Sequence, residues 1–209
     1  MTTRTLAVVT AGLSQPSSTR LLADRLAAAT VAAVRRGGDD VVVEIVEVRE
    51  LAHDLTNHLL TGFASGPLQA AKDTVAGADG VIAVTPIFSA SYSGLFKSFF
   101  DVLEPDALTG TPVLIAATAG TARHSLALEH ALRPLFAYLK ALVVPTAVFA
   151  ASEDWGAGGE VDGGLTARIE RAADQLAQLL AGAPVHESAA RRADPFDEVV
   201  PFEQLLRGS

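Results

Sequence analysis

Five apolar runs of strand length recur along the chain, and segments with helical spacing separate them. The runs cover residues 5–11, 41–48, 80–85, 112–118 and 143–150; helical spacing covers residues 19–36, 67–76, 94–103, 125–142 and 165–180. Runs without polar alternation are typical of parallel strands buried on both faces. The alternation therefore predicts an α/β fold, with a parallel sheet between two layers of helices.

Two stretches fall outside this alternation. Residues 49–65 are interpreted as a long connection, with His53 and His58 on its surface. Residues 1–182 form one predicted domain, and residues 183–209 form a C-terminal tail that contains Phe196 and Phe202 in a short near-repeat. Apolar side chains in such a tail need cover, so we expect a packing arm on its own domain or on a neighbouring subunit.

Composition removes several classes of function. The chain has 16 Lys and Arg against 24 Asp and Glu, a net charge of −8 that argues against nucleic-acid binding. It has no cysteine, so thiol chemistry is excluded and any electron transfer needs a cofactor. Its five His residues lack metal-ligand spacing, so no metal is expected. No apolar stretch approaches the roughly 20 residues that span a bilayer, and we expect a cytoplasmic protein without membrane attachment.

The loop after the first predicted strand concentrates hydroxyl groups immediately before a helix. Ser14, Ser17, Ser18, Thr19 and Arg20 lie within this loop and the start of the helix. A helix N-terminus attracts anions through its free N–H groups, so this loop fits a phosphate. It matches neither the three-glycine dinucleotide pattern nor the Walker A pattern. The alternative is that one serine simply caps the helix.

The loop after the third predicted strand offers a flat wall and hydrogen-bonding groups. Residues 85–97 contain Pro86, Phe88, Tyr92 and three serines. Such a loop fits one side of a pocket for a planar ring, although its aromatic side chains would equally suit packing on the sheet edge. Residues 96, 99 and 100 are phenylalanines at helical spacing, which predicts core or subunit-interface positions.

The loop after the fourth predicted strand combines a glycine turn with an arginine and a histidine side chain. Gly120 permits close backbone approach, and successive N–H groups there can stabilise negative charge. His124 is a candidate for proton transfer or for contact with a second ligand, or is an ordinary residue of a first helical turn. Arg123 is open to two interpretations, a contact with a substrate phosphate or a surface ion pair.

These loops resemble the NADPH-dependent FMN reductase family, a flavodoxin-like group. The resemblance covers roughly residues 5–180 and is carried by Thr19-Arg20-Leu21-Leu22, Thr85-Pro86-x-Phe88, Ser93-Gly94-x-x-Lys97 and Gly120-Thr121. Within that family the chain is most similar to actinobacterial FMN reductases that partner luciferase-like flavin monooxygenases. The resemblance implies a flavodoxin-like three-layer sandwich, with a five-stranded parallel sheet in the order 2-1-3-4-5, and a homodimer or homotetramer.

The resemblance also implies the ligands and their contacts. It implies FMN reduced by NADPH or NADH, with the flavin carrying the chemistry, no obligatory catalytic side chain, and His124 as a candidate helper. The FMN phosphate is expected at Ser14, Ser17, Ser18, Thr19 and Arg20, and the ring against Pro86, Ile87, Phe88, Ser89 and Tyr92. The pyrimidine edge is expected near Thr118, Ala119, Gly120 and Thr121, and the nicotinamide nucleotide near Arg123 and His124.

Two departures from the family pattern bear on how the flavin is used. Many relatives carry an arginine ahead of the first-loop serines, where this chain has Gln15, and relatives often have Tyr-Asn where this chain has Phe88-Ser89. Fewer hydrogen bonds to the ring predict loosely held flavin, which suits a flavin used as substrate. The alternatives are an FMN-containing quinone, azo or metal reductase, and a non-enzymatic flavodoxin-type electron carrier.

Overall fold

A mostly parallel sheet forms the middle layer of the computed structural model, which describes residues 2–155 and 164–182. Its strands are β1 (Thr3–Thr10), β2 (Asp40–Glu47), β3 (Gly80–Phe88), β4 (Ser91–Tyr92), β5 (Pro112–Ala119), β6 (Leu142–Val143) and β7 (Val148–Ala151). The sheet order is β2-β1-β3-β5, and both β6 and β7 pair with β5. The predicted order 2-1-3-4-5 is confirmed, with β6 and β7 together in the fifth position.

The predicted number of five strands is wrong, since seven are found in the described residues. One extra strand, β4, is a two-residue antiparallel partner of β3. The other arises because the fifth predicted strand is interrupted between β6 and β7. There Pro145 lacks an N–H, its carbonyl and that of Val144 accept from Arg133, and the Thr146 N–H donates to the Gln175 side chain.

Helices cover both faces of the sheet, as the alternating pattern predicts. They are α1 (Ser18–Arg36), α2 (Ala52–Thr61), α3 (Gly66–Ala76), α4 (Gly94–Asp101), α5 (Arg133–Tyr138) and α6 (Leu165–Gly182). On one face, α1 and α6 bury Leu26 and Leu176 against Ile82. On the other, Phe96, Phe100 and Phe136 form tilted and edge-to-face ring pairs in the second core cluster. The core alternative for the phenylalanines of α4 is thus confirmed.

The connection predicted over residues 49–65 is instead mostly helical. A 3-10 turn over Val48–Leu51 leads into α2, in which Leu55 is the buried residue. Leu55 and Leu59 lie at helical spacing, but the polar residues around them are equally typical of a surface connection, so the sequence pattern missed the helix. His53 on this helix is exposed, as expected, whereas His58 is half-buried.

The single helix predicted over residues 125–142 is also wrong. The chain forms a 3-10 turn over Ala122–His124, a π-helical turn over Leu128–Leu132 and only then α5. Pro134 at the start of α5 has no N–H to give to the preceding turn, which breaks the regular α-helical ladder.

Two further expectations concern membrane spans and the C-terminal tail. None of the helices in the described part of the chain combines the length and apolarity required to cross a bilayer. The tail predicted over residues 183–209 lies outside the described residues, so its predicted role as a packing arm stays a prediction.

Candidate functional site

The carboxyl ends of β1, β3 and β5 lie side by side, and the three predicted loops follow them. In register, Thr10 of β1 pairs with Val84 of β3, and Pro86 of β3 pairs with Thr118 of β5. Ligands of open α/β sheets bind at this edge, where the strand order reverses between β1 and β3. The fold therefore brings the three loops to one edge of the sheet.

The first loop is closed by a very tight contact between its two ends. A Cβ atom on Gly12 would lie 2.0 Å from Ser17 Oγ, so only glycine fits there without displacing Ser17. Ser17 is the N-cap of α1, and its Oγ accepts from the Arg20 N–H at 3.2 Å. The capping alternative thus holds for Ser17, whereas Ser14 and Ser18 stay exposed.

The guanidinium of Arg20 is engaged in ion pairs and is not free to bind an anion in this loop. Its Nε lies 2.8 Å from Asp24 Oδ1, and its Nη1 is paired with Glu47 Oε1. Two carboxylates therefore compensate one guanidinium. The groups of the loop that remain for an anion are exposed hydroxyls and the N–H groups of the first turn of α1.

A buried pair of hydroxyls connects the first loop with the third. Thr19 Oγ1 and Thr118 Oγ1 are 2.8 Å apart, and the two residues are 2% and 4% exposed. Thr10, at the end of β1, is also buried, and its hydroxyl has no hydrogen-bond partner among the described residues. Thr19 and Thr118 thus lie beneath the edge and fix the spacing of the loops, rather than presenting open hydroxyls.

The second loop forms a β-hairpin, which the sequence analysis did not predict. Phe88 pairs with Ser91 across a two-residue turn, in which Ser89 has a φ of 49° and Ala90 a φ of 67°. Two left-handed residues give the tight hairpin turn in which glycine and asparagine are preferred, so this turn carries backbone strain.

The hairpin presents an aromatic side chain at the edge of the sheet. The Phe88 side chain is 48% exposed, while Pro86 and Ile87 are buried and Tyr92 is half-buried. Below it, the Thr85 hydroxyl accepts from the Ser93 N–H at 3.1 Å and donates to the Pro86 carbonyl at 2.9 Å. The hairpin is therefore fixed from beneath and offers an open apolar surface above.

The third loop is open from Gly120 onward. Gly120 and Thr121 are exposed, and so are Arg123 and His124 in the following 3-10 turn. Among the described residues, no hydrogen bond or ion pair engages the side chains of Arg123 and His124. The guanidinium and the imidazole are accessible at the same edge as the aromatic hairpin.

Sequence reasoning missed three features of this site. These are the Gly12–Ser17 contact, the Arg20–Glu47 pair and the Thr85 hydroxyl beneath the hairpin. Only the partner Asp24 was accessible from the sequence, since it lies four residues after Arg20 on one helix face. The Arg20–Glu47 pair joins elements that only the tertiary fold brings together, whereas the other two features depend on the backbone conformation of their loops.

Comparison with known proteins assigns the family. The model of the NADPH-dependent FMN reductase family matches residues 4–156, which contain all three loops. The chain belongs to the NADPH-dependent FMN reductase family. It is 36% identical to an FMN reductase (NADPH) of Pseudomonas aeruginosa over 83% of this chain and 91% of that relative. It is 34% identical to the NADH-dependent FMN reductase SfnE of Pseudomonas putida over 80% and 88% of the two chains.

Solved structures give the same assignment. An oxidoreductase from Corynebacterium diphtheriae is 49% identical, with a TM-score of 0.83 over 87% of this chain and 99% of that one. The apo form of the NADH:FMN oxidoreductase EMOB is 28% identical, with a TM-score of 0.75 over 91% and 97% of the two chains. The FMN reductase family, the flavodoxin-like fold and the oxidoreductase class expected from the sequence are confirmed.

Proposed function

We propose that this FMN reductase uses NADPH or NADH to reduce FMN and releases the reduced flavin to a separate monooxygenase. The observation that carries the proposal is the arrangement at the carboxyl edge of the sheet. A hydroxyl-rich helix start, an exposed aromatic hairpin and an open glycine turn lie side by side, and the Thr19–Thr118 hydrogen bond links the first to the third.

In the proposed complex the first loop holds the FMN phosphate. Ser14, Ser18 and the N–H groups of the first turn of α1 supply the donors, and Ser17 sets the shape of the loop. Thr19 acts through its bond to Thr118, and Arg20 acts through its ion pairs. The observed loop fits a phosphate, since donors cluster at a helix N-terminus that has no acidic residue in its first turn.

The second and third loops hold the ring. Phe88, with Pro86 and Ile87 behind it and Tyr92 beside it, covers one side, and Ser89 offers a hydroxyl at the rim. Residues 118–121 of the third loop supply the pyrimidine edge with backbone donors, and Gly120 leaves room for close approach. FMN, when bound, accepts the hydride of the nicotinamide. The side chains of this chain orient the two ring systems and exclude water between them.

Arg123 and His124 are the proposed contacts for the nicotinamide nucleotide. Both are exposed at the open end of the third loop, beside the ring site. A guanidinium and an imidazole suit nucleotide phosphates through charge-assisted hydrogen bonds. The side chain of His124 also provides a proton donor or acceptor at the mouth of the site.

Use of FMN as a released substrate follows from the charge of the first loop. The phosphate carries a double negative charge, the protein has a net charge of −8, and Arg20 is already compensated by Asp24 and Glu47. Binding then depends on neutral donors, which hold an anion less strongly than a free guanidinium does. A weakly held flavin can leave after reduction.

Two finer properties belong to the same proposal. We place the reaction in the cytoplasm and expect a homodimer or homotetramer. A groove of about 920 Å³ between α4 and α5, lined by Tyr92, Leu135 and Tyr138, supports a subunit contact next to the aromatic hairpin.

An anaerobic titration of flavin-free protein with NADPH and NADH tests the proposal. With FMN in excess over protein, the visible absorbance of the whole FMN pool should fall, which requires exchange of flavin at the site. Reduction of only one equivalent per protein, with the flavin retained, would favour the electron carrier. Faster turnover with a quinone, azo dye or metal ion than with free FMN would favour those acceptors.

A further inference from the structure

The carboxyl end of β2 places a carboxylate beside the first loop. Glu47 is the last residue of β2, and in register it pairs with Thr10, the last residue of β1. The first loop follows Thr10 directly and leads into α1. The first turn of α1 holds no acidic residue, so Glu47 brings its negative charge to the loop from the neighbouring strand.

Glu47 engages the guanidinium of Arg20. Arg20 lies in the first turn of α1, where its N–H is capped by Ser17, and its Nη1 is paired with Glu47 Oε1. Its Nε donates to Asp24 Oδ1 at 2.8 Å, one turn further along the helix. The side chains of Arg20 and Glu47 are 34% and 31% exposed, so a dissolved ligand can reach this pair.

The two ion pairs occupy both positions from which a guanidinium binds a phosphate with two N–H groups. These are the side-on pair, Nε with Nη2, and the end-on pair, Nη1 with Nη2. Asp24 takes Nε of the side-on pair, and Glu47 takes Nη1 of the end-on pair. The side-on pair faces back along α1 toward Asp24, away from the loop. Release of Glu47 therefore frees the end-on pair for an anion at the loop.

The charges of the three side chains also oppose an incoming phosphate. The single positive charge of Arg20 faces the two negative charges of Asp24 and Glu47, so the group carries a net negative charge. Loss of the Glu47 carboxylate makes the group neutral and leaves Arg20 with a free end-on pair. A residue that engages the best partner of a ligand weakens that ligand selectively.

We propose that Glu47 competes with the FMN phosphate for Arg20 and thereby sets how firmly this chain holds FMN. The inference rests on the proposed function, because it takes the first loop as the phosphate site. With Glu47 in place, the phosphate depends on the neutral donors of the loop, and reduced FMN leaves. Without the Glu47 carboxylate, the end-on pair of Arg20 binds the phosphate and the flavin is retained. Glu47 is thus a specificity-determining residue that keeps FMN a substrate.

Glu47→Gln tests the competition, since it removes the charge and keeps the size of the side chain. Fluorescence titration of the flavin-free full chain should give a Kd for FMN about tenfold lower than that of the unchanged protein, the effect of one added charge-assisted pair. Glu47→Ala, which also removes the acceptor oxygens, should give at least the same gain. The Kd for riboflavin, which lacks the phosphate, should not change in either variant. An unchanged Kd for FMN in both, or an equal gain for riboflavin, overturns the proposal.

Two variants with the same change of charge provide matched controls. Asp24→Asn removes the other carboxylate that contacts Arg20, but the donors it frees face away from the loop. Glu44→Gln changes an exposed residue of β2 that pairs with Ala7, further from the carboxyl edge than Glu47. Each should change the Kd for FMN by less than about threefold. Gains equal to that of Glu47→Gln would show a general effect of charge and overturn the proposal.

The gain in affinity should require the guanidinium of Arg20. In the double variant Arg20→Gln/Glu47→Gln, the Kd for FMN should rise again by about tenfold from the value of Glu47→Gln, because the added pair is lost. A gain that persists without the guanidinium contradicts competition for Arg20.

Release of the reduced flavin gives a kinetic measurement of the same competition. Affinity differences between variants of one site arise mainly in the dissociation rate, so reduced FMN should leave Glu47→Gln about tenfold more slowly than the unchanged protein. Anaerobic stopped-flow mixing with excess oxidised FMN measures this rate, and an equal or faster release overturns the proposal. Failure of the proposed function is seen separately, as absence of FMN reduction by the unchanged protein with either nucleotide. Failure of the present inference leaves that reduction intact.

Discussion

Thr19 and Thr118 are 99 positions apart in the sequence, yet their hydroxyl oxygens lie 2.8 Å from each other in the buried layer beneath the ligand edge. One residue belongs to the first turn of α1 and the other to the end of β5. The bond therefore connects the proposed phosphate loop with the proposed ring loop. A shift of either loop is passed to the other through two short, buried side chains.

Removing the hydrogen bond between Thr19 and Thr118 should lower the free energy of unfolding. Thr19→Val or Thr118→Val leaves the other hydroxyl buried and unpaired, and each should lower the free energy of unfolding by about 1–3 kcal/mol. The double variant, which removes both hydroxyls, should lose less than the sum of the single losses. Urea unfolding of the four proteins measures the coupling, and strictly additive losses would show that the contact is energetically unimportant.

The Gly12 contact predicts a phosphate-specific defect. In Gly12→Ala the new Cβ displaces Ser17 and with it the N-cap of α1, so FMN affinity should fall about tenfold, the effect of losing one or two charge-assisted bonds. Riboflavin, which lacks the phosphate, should bind as it does to the unchanged protein. Fluorescence titration measures both. Gly66→Ala is the control, because a Cβ there meets nothing within 4 Å.

Phe88 predicts the complementary, ring-specific defect. Its side chain is 48% exposed, so Phe88→Ala should change stability little while removing the apolar wall offered to the ring. FMN and riboflavin affinities should both fall, by about tenfold for one lost aromatic contact. Val42→Ala, at a side chain that is 49% exposed near the amino end of β2, is the control and should leave both affinities unchanged. Loss of FMN affinity alone in Phe88→Ala would contradict the proposed ring position.

The strained hairpin turn predicts a stabilising substitution. Ala90 has a φ of 67°, and glycine adopts that conformation without the steric cost that a Cβ imposes. Ala90→Gly should raise the free energy of unfolding by about 1 kcal/mol. Ala28→Gly, at an exposed position inside α1, should lower it by a similar amount. Denaturant unfolding compares the two, and destabilisation by both would contradict the strain.

The Glu129–Arg133 pair predicts a small contribution to the free energy of unfolding that depends on pH in the acidic range. Hydrogen bonds from Arg133 lower the pKa of Glu129 below its usual value of 4.5, and Arg133 also donates to the carbonyls of Val144 and Pro145. A lowered native pKa gives stability that is present above pH 4.5 and is lost as the pH falls through the native value.

Glu129→Gln tests this contribution of the pair to stability. Because the pair is partly exposed, the variant should lose less than about 1 kcal/mol at neutral pH, and the gap to the unchanged protein should close in acid. Urea unfolding at several pH values measures this, with Glu170→Gln on the exposed side of α6 as the control. A difference in the free energy of unfolding that widens as the pH falls would contradict the prediction.

The sequence predicted the parts of the fold that depend on strong local patterns. The buried strands, α1 and the alternation of layers follow from apolar periodicity, and the strand order followed from family resemblance. The broken fifth strand did not, because its backbone groups bond to Arg133 and Gln175 from other elements. Likewise α2 was missed because its polar residues favour a surface connection, although Leu55 and Leu59 lie at helical spacing.

In the candidate site, too, local patterns were predictable from the sequence and tertiary contacts were not. The clusters of hydroxyl, aromatic and glycine residues were visible as local composition in the three loops. Compensation of Arg20 by Glu47 and the burial of Thr19 against Thr118 depend on strands that are distant in sequence. The sequence therefore indicated where the candidate loops lie but not which of their residues are already engaged by the protein.

The most direct test of the account is anaerobic turnover with a catalytic amount of flavin-free protein and excess FMN. The account predicts that NADPH or NADH bleaches the whole FMN pool, that no nucleotide is oxidised when FMN is left out, and that Phe88→Ala raises the KM for FMN. An FMN reduction rate equal to that without protein, with both nucleotides, would contradict it.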